Sequence, residues 1–182
     1  MQMKPVKVTI IGAGSVYTPE LLDMMKQTQP DTPIDTLRLM DINEERLEIM
    51  CGFASRFLKN AGLPIKLEKT TNRTEAVTGV DFLITQIRVG GNAARVNDEK
   101  IPLKYGLLGQ ETTGAGGFAK ALRTLPVVVD IARDVEEHNP NAWIINYTNP
   151  TGIVAEAVTK YTNAKFVALC GGGRHPGNML QK

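Results

Sequence analysis

The stretch "VTIIGAGSVYTPELL", Val8–Leu22, passes from an apolar β-branched run into Gly12-Ala13-Gly14 and then into a helix-like segment. A strand that meets a helix through two spaced glycines is how a dinucleotide-binding turn begins. Gly12 permits the tight turn. Gly14 lets the backbone approach a pyrophosphate, which the helix N-terminus then stabilises. The full fingerprint wants a third glycine three residues later, and Tyr17 stands there. That means a wider helix approach or a shifted helix start. Pro19, suited to the first helical position behind a Thr18 N-cap, favours the shift. Ser15, Val16 and Tyr17 complete the segment expected to face the cofactor. Two glycines at a strand end are also a common plain turn, so the rest of the chain has to decide.

Outward from this turn, short β-branched runs alternate with helical patterns. Thr36–Met40 reads as a second strand, followed by a helix that puts Leu47, Met50, Cys51, Ala54, Phe57 and Leu58 on one face. Ile65–Leu67, Asp81–Ile87, Ala142–Asn146 and Lys165–Leu169 read as further strands. Phe118–His138 reads as a long helix kinked at Pro126, and Thr151–Tyr161 as another helix. Such alternation predicts an α/β protein: a Rossmann-like, doubly wound parallel sheet with helices on both faces. Residues 1–170 form the expected dinucleotide-binding domain, and residues 171–182 a tail that matches no element.

The 182 residues suit one domain with a sizeable core. Twenty-one basic residues stand against nineteen acidic ones, a net charge of +2. That balance gives no reason to expect nucleic acid or an anionic membrane surface as partner. Two cysteines far apart imply no disulfide framework, and no run has the length of a membrane span. The expectation is a soluble, cytoplasmic protein.

Candidate chemistry gathers at strand ends. Asp41, directly after the second strand, can accept hydrogen bonds from adenosine ribose hydroxyls, or it can cap the next helix. An acid there favours NAD over NADP, because it repels a 2′-phosphate. Arg88 and Arg95 follow the fourth predicted strand, where ligands bind in open α/β sheets. Guanidinium groups suit an anionic ligand, although surface salt bridging explains either one alone. Glu111, among glycines and threonines in "GQETTGAGG", can bind a substrate hydroxyl, tune a neighbouring base or simply brace its loop. Asn146 and Asn149 flank a turn after the fifth predicted strand. Their amides can hold sugar hydroxyls, but Asn-Pro is also an ordinary turn pair.

Taken together, "GAGSVYTPEL", "NDEKIPLKYGLLGQETTGAGGF", "NYTNPTG" and "FVALC" closely resemble the NAD- and metal-dependent glycoside hydrolase family 4, nearest its 6-phospho-β-glucosidase branch. The likeness runs in order over about residues 6–170. It implies a Rossmann domain related to lactate and malate dehydrogenases, with a second domain to follow, and homo-oligomers at full length. Tyr17 becomes a family variant of the turn. The implied substrate is a phosphorylated disaccharide or β-glucoside. The implied chemistry is oxidation of the sugar by NAD, elimination of the aglycone, water addition and re-reduction, assisted by a divalent metal such as manganese. By matched motif, Gly12, Gly14, Ser15, Val16, Tyr17, Asp41 and Arg88 would bind the cofactor. Arg95 would bind the substrate, at its 6-phosphate, and Asn149 its hydroxyls. Glu111 would serve catalysis by raising the basicity of a tyrosine, and Cys170 would ligate the metal as a thiolate.

After Cys170 the likeness stops. The chain reads Gly171-Gly172-Gly173-Arg174-His175-Pro176, where the family has a different turn, and neither the family's histidine ligand nor its tyrosine is found. Cys170 with His175 alone is not a convincing metal site. That ending reads as a frameshift, a truncated product or an expression fragment, and this polypeptide alone is expected to be inactive as a glycosidase. A hydroxy-acid dehydrogenase-like NAD-binding protein and a non-catalytic nucleotide-binding module remain the alternatives.

Overall fold

A computed structural model describes residues 4–170. Six strands, β1 (Val6–Ile11), β2 (Ile34–Met40), β3 (Lys66–Thr70), β4 (Phe82–Thr85), β5 (Trp143–Asn146) and β6 (Lys165–Ala168), form one sheet in the order β3-β2-β1-β4-β5-β6. Every neighbouring pair is parallel. Six helices connect or extend them: α1 (Thr18–Thr28), α2 (Glu44–Asn60), α3 (Arg73–Val77), α4 (Gly91–Leu103), α5 (Gly114–His138) and α6 (Thr151–Tyr161). The strand order reverses between β1 and β4. Chains leaving these two strands diverge to opposite faces and open a crevice at their carboxyl ends.

Two cores follow from the pleat, because successive side chains point to opposite faces. Val8 and Ile10 of β1 join Leu37 and Leu39 of β2 in a cluster closed by Leu22 of α1 and Leu47, Ala54 and Leu58 of α2. Ile11 and Met40 point the other way, into a cluster with Leu83, Ile144, Val128, Ala132 and Val154, built by α5 and α6. The apolar stripe expected on the second helix is the stripe that packs: Leu47, Cys51, Ala54 and Leu58 are buried, with Met50 and Phe57 partly so.

The structure adds detail at three places. The region between β4 and α5 contains a real helix, α4, which packs on α5 rather than on the sheet. The long helix begins at Gly114, ahead of Phe118, and is continuous through Pro126. Its N-terminal glycines explain the early start: a Cβ on Gly116 would lie 2.2 Å from the Gln110 carbonyl, and one on Gly117 2.3 Å from that of Thr112. The loop backbone therefore lies directly on the first turn of α5. Finally, α3 is an additional short helix, capped by Asn72, whose side chain accepts from the Glu75 N–H at 3.1 Å.

Candidate functional site

The glycine turn sits at the β1 end of the crevice. The N–H groups of Gly12 and Ala13 both donate to the Met40 carbonyl at 2.9 Å, which ties the turn to the end of β2. Gly12 has φ 84°, a left-handed conformation that costs a side-chain-bearing residue energy. A Cβ there would also stand 2.8 Å from the Gln86 carbonyl. Gly14 needs its missing side chain for a different reason. Its N–H donates to Asp41 Oδ2 at 2.8 Å, and a Cβ would come within 2.8 Å of both that oxygen and Arg46 Cβ.

Asp41 is thus half of a clamp. Its other oxygen accepts from the Asn43 N–H at 2.9 Å. An ionised carboxylate has about four acceptor positions, so two remain for ribose hydroxyls. The capping alternative for Asp41 does not hold: Asn43 caps α2, its side chain accepting from the Arg46 N–H at 2.9 Å. Thr18 is not a cap either. Tyr17 occupies that position with no side-chain bond, and Thr18 is fully buried as the first helical residue. Its hydroxyl donates inward to the Ala13 carbonyl at 2.7 Å and accepts from Gln86 Nε2 at 2.7 Å. This pair links the β1 turn to the chain leaving β4. Val16 and Tyr17 stand exposed at the rim, and Ser15 Oγ accepts from the Tyr17 N–H.

Across the crevice the chain brings four charged side chains together. Glu111 Oε1 accepts from Arg88 Nη1 and from Lys120 Nζ, and its Oε2 lies 3.2 Å from Arg95 Nε. Arg95 also meets Glu99 one turn along α4, at 2.8 Å. Burial pushes the Glu111 carboxyl up, but the hydrogen bond and charge of Lys120, with Arg88 and Arg95, outweigh it and hold the group below its ordinary value. Burial lowers Lys120 in turn; Glu111 opposes this and the two arginines add to it. Beneath the cluster, Arg123 of α5 grips the buried Asp98 of α4 through two bonds of 2.9 and 2.6 Å. The two helices that carry the cluster are therefore fixed to each other.

Asn146 and Asn149 divide their roles. Asn146 is fully buried and spent on structure: its Oδ1 accepts from Thr85 Oγ1 at 2.8 Å and the Thr148 N–H at 3.2 Å, and its Nδ2 donates to the Thr148 carbonyl at 2.9 Å. A ligand-binding role for it is thereby removed. Asn149 is half-buried, accepts from Thr151 Oγ1 at 2.9 Å, and precedes a cis peptide bond to Pro150. Cys170 is exposed two residues beyond β6. Among the described residues no group of three or more His, Cys, Asp or Glu is placed to hold a metal. The described residues offer Cys170 as a single soft donor and not a complete ligand set. His175 lies outside the described residues.

Lys120 is the member of the site that the sequence reading overlooked. A signal existed: Lys120, Thr124 and Val128 fall at helical spacing on the buried stripe of α5. A lysine on such a stripe needs a carboxylate partner.

Comparison with known proteins bears on this arrangement. The model of the family 4 glycosyl hydrolases matches residues 7–177. A 6-phospho-beta-glucosidase of Escherichia coli K12 is 50% identical over 167 residues, which cover 90% of this chain and 37% of that protein. The chain thus spans roughly two fifths of the length of the curated relatives it matches. The crystal structure of a 6-phospho-beta glucosidase from Thermotoga maritima, solved with manganese, NAD+ and glucose-6-phosphate, superposes with a TM-score of 0.87 at 39% identity, covering 96% of this chain and 44% of that one. A malate dehydrogenase from Plasmodium falciparum, 14% identical with a TM-score of 0.64 over 91% of this chain and 45% of its own, shares the fold alone.

Proposed function

The chain belongs to family 4 of the glycosyl hydrolases, and from that premise we propose that it is the NAD-holding part of a 6-phospho-β-glucosidase. The observation that carries this reading is the Gly12–Gly14 turn, clamped by Asp41, at the point where the strand order reverses. The cradle fits a dinucleotide. The absence of Cβ atoms on both glycines lets the turn pack closely on Gln86, Asp41 and Arg46, which brings the start of α1 to the crevice, where its dipole suits a pyrophosphate, and Asp41 keeps acceptor positions for the adenosine ribose. Its negative charge disfavours a 2′-phosphate, which selects NAD over NADP.

NAD, when bound, supplies reversible oxidation of a sugar carbon, which acidifies the neighbouring C–H and so permits elimination of the aglycone. The chain's own residues surround that chemistry. Ser15, Val16 and Tyr17 form the rim over the cofactor. Arg88 and Arg95 place two guanidinium groups beside the crevice. We assign Arg88 to the cofactor side and Arg95 to the phosphate of the substrate, since a fork of donors matches an anion's oxygens. Asn149 offers its amide to sugar hydroxyls. Glu111 supplies a fixed negative charge that raises the basicity of a proton-accepting group nearby. Cys170 is assigned as a metal ligand by family motif alone.

Calorimetric titration of the chain with NAD and with NADP tests this reading. Saturable heat with NAD, at least tenfold tighter than with NADP (about 1.4 kcal/mol), is expected. No heat at millimolar NAD would remove the proposal.

A further inference from the structure

The three cations around Glu111 are not equivalent. Lys120 is the buried member, its side chain 5% exposed against 30% for Arg88 and 44% for Arg95. An ammonium without water depends on the carboxylate it meets, whereas a half-exposed guanidinium can exchange that carboxylate for water or for another anion. The covalent setting sharpens the difference. Lys120 rises from the second turn of α5, and the loop that carries Glu111 lies directly on the first turn of the same helix through Gly116 and Gly117. The pair is therefore held by one rigid unit. Arg88 comes from the loop after β4 and Arg95 from α4. We infer that Lys120 is the positioning residue of this site: its buried ammonium fixes the Glu111 carboxylate on α5, and Arg88 and Arg95 attach to that fixed anion as exchangeable partners.

The geometry of the carboxylate follows from this arrangement. Oε1 is shared between Lys120 and Arg88, and Oε2 is turned toward Arg95. With Oε1 anchored on Lys120, that oxygen keeps its place when a guanidinium leaves. The formal charges of Arg88, Arg95 and Lys120 against Glu99 and Glu111 leave an excess of one positive charge, so an incoming anion finds a partner without neutralising Glu111. The inference deepens the proposed role of Glu111, since a carboxylate that tunes a base must stay ionised and in place.

The test uses the whole chain with no cofactor or substrate added, so it can fail while the dinucleotide reading stands, and the reverse. Chain labelled with carbon-13 at glutamate carboxyls is titrated by NMR as wild type, Lys120→Met, Lys120→Arg and Arg95→Met. Lys120→Met is expected to raise the Glu111 midpoint by about one pH unit, the lower end of what an adjacent cation does. Arg95→Met is expected to move it less, and Lys120→Arg to restore it. A residue that only filled space would leave the midpoint in place. An Arg95→Met shift equal to or larger than that of Lys120→Met, or no shift in Lys120→Met, overturns the inference. Should Lys120→Met fail to fold, the nitrogen-15 signal of the Lys120 ammonium decides. It is expected to exchange slowly in the wild type and to vanish in Glu111→Gln; a signal unchanged in Glu111→Gln overturns the inference.

Discussion

Replacing three glycines by alanine separates two physical reasons for having glycine at all. Gly62, in the turn after α2, has φ 66° and nothing within 4 Å of a built Cβ, so Gly62→Ala carries backbone strain alone. That strain is about 1–2 kcal/mol, partly offset by the stiffer unfolded chain. Gly14 has ordinary φ but would press a methyl within 2.8 Å of Arg46 Cβ and Asp41 Oδ2. The carboxylate can swing aside and the Cβ cannot, so overpacking of about 1–3 kcal/mol is expected. Gly12 combines both: φ 84° and a contact of 2.8 Å to the backbone carbonyl of Gln86, which has no freedom to move within β4's exit. The two contributions give about 2–5 kcal/mol. At roughly 2–4 °C per kcal/mol for a domain of this size, Gly12→Ala should lower the midpoint by about 4–20 °C, measured by scanning calorimetry. Gly62→Ala should cost a few degrees at most. NAD titration adds the second axis: Gly14→Ala weakens binding more than its stability loss suggests, because it displaces Asp41. If Gly62→Ala destabilises as much as Gly12→Ala, the close approach of the β1 and β4 turns is not what requires glycine there.

Other changes probe the remaining parts. Asp41→Asn removes the negative charge from the rim, and the ratio of NAD to NADP affinity should fall at least several-fold; an unchanged ratio would assign the selectivity elsewhere. Glu111→Gln strands the buried Lys120 ammonium and should cost about 3–5 kcal/mol in denaturant unfolding at neutral pH, with a loss under 1 kcal/mol counting against a buried pair. Because the folded Glu111 titrates below its ordinary value, its contribution is complete above the unfolded glutamate value and is lost as pH falls through the lower folded one. The wild-type advantage over Glu111→Gln should therefore shrink on acidification from about pH 5 downward. Asn146→Ala leaves the Thr85 hydroxyl and the Thr148 N–H unpaired in a dry interior, and should cost about 2–4 kcal/mol by the same measurement.

Much of this architecture was legible because strands and helices alternate with clear apolar patterning. Val8, Ile10 and Ile11 announce β1, Gly12 and Gly14 its turn, and Leu47 to Leu58 the stripe of α2. The site was harder to read where a polar residue serves the interior. Thr18 and Asn146 look like a helix cap and a ligand amide in sequence. They turn inward because the crossing of β1, β4 and β5 places Gln86, Ala13 and Thr85 within bonding reach. Gln86 and Thr85 lie more than sixty residues from their partners Thr18 and Asn146 in sequence, so no local pattern reveals these bonds. Glu111 was singled out by its odd setting among glycines, yet its partner Lys120 passed as an ordinary helical lysine. The stripe of α5 that carries Lys120, Thr124 and Val128 hints at its burial, but the loop lying on the first turn of α5 is what brings Glu111 to it.

The crevice draws on the turn after Ile11, the exit of β4 at Gln86 and the loop at Thr148, and strands β1 and β4 pair across more than seventy intervening residues. Contacts with such long sequence separation form slowly, since the loop must close before they repay its lost entropy. No early portion of the chain, however helical, can present this crevice. Occupancy by a nucleotide would therefore report a completed sheet rather than a folded segment. By mass action it would also hold the β1 and β4 exits together once they have met.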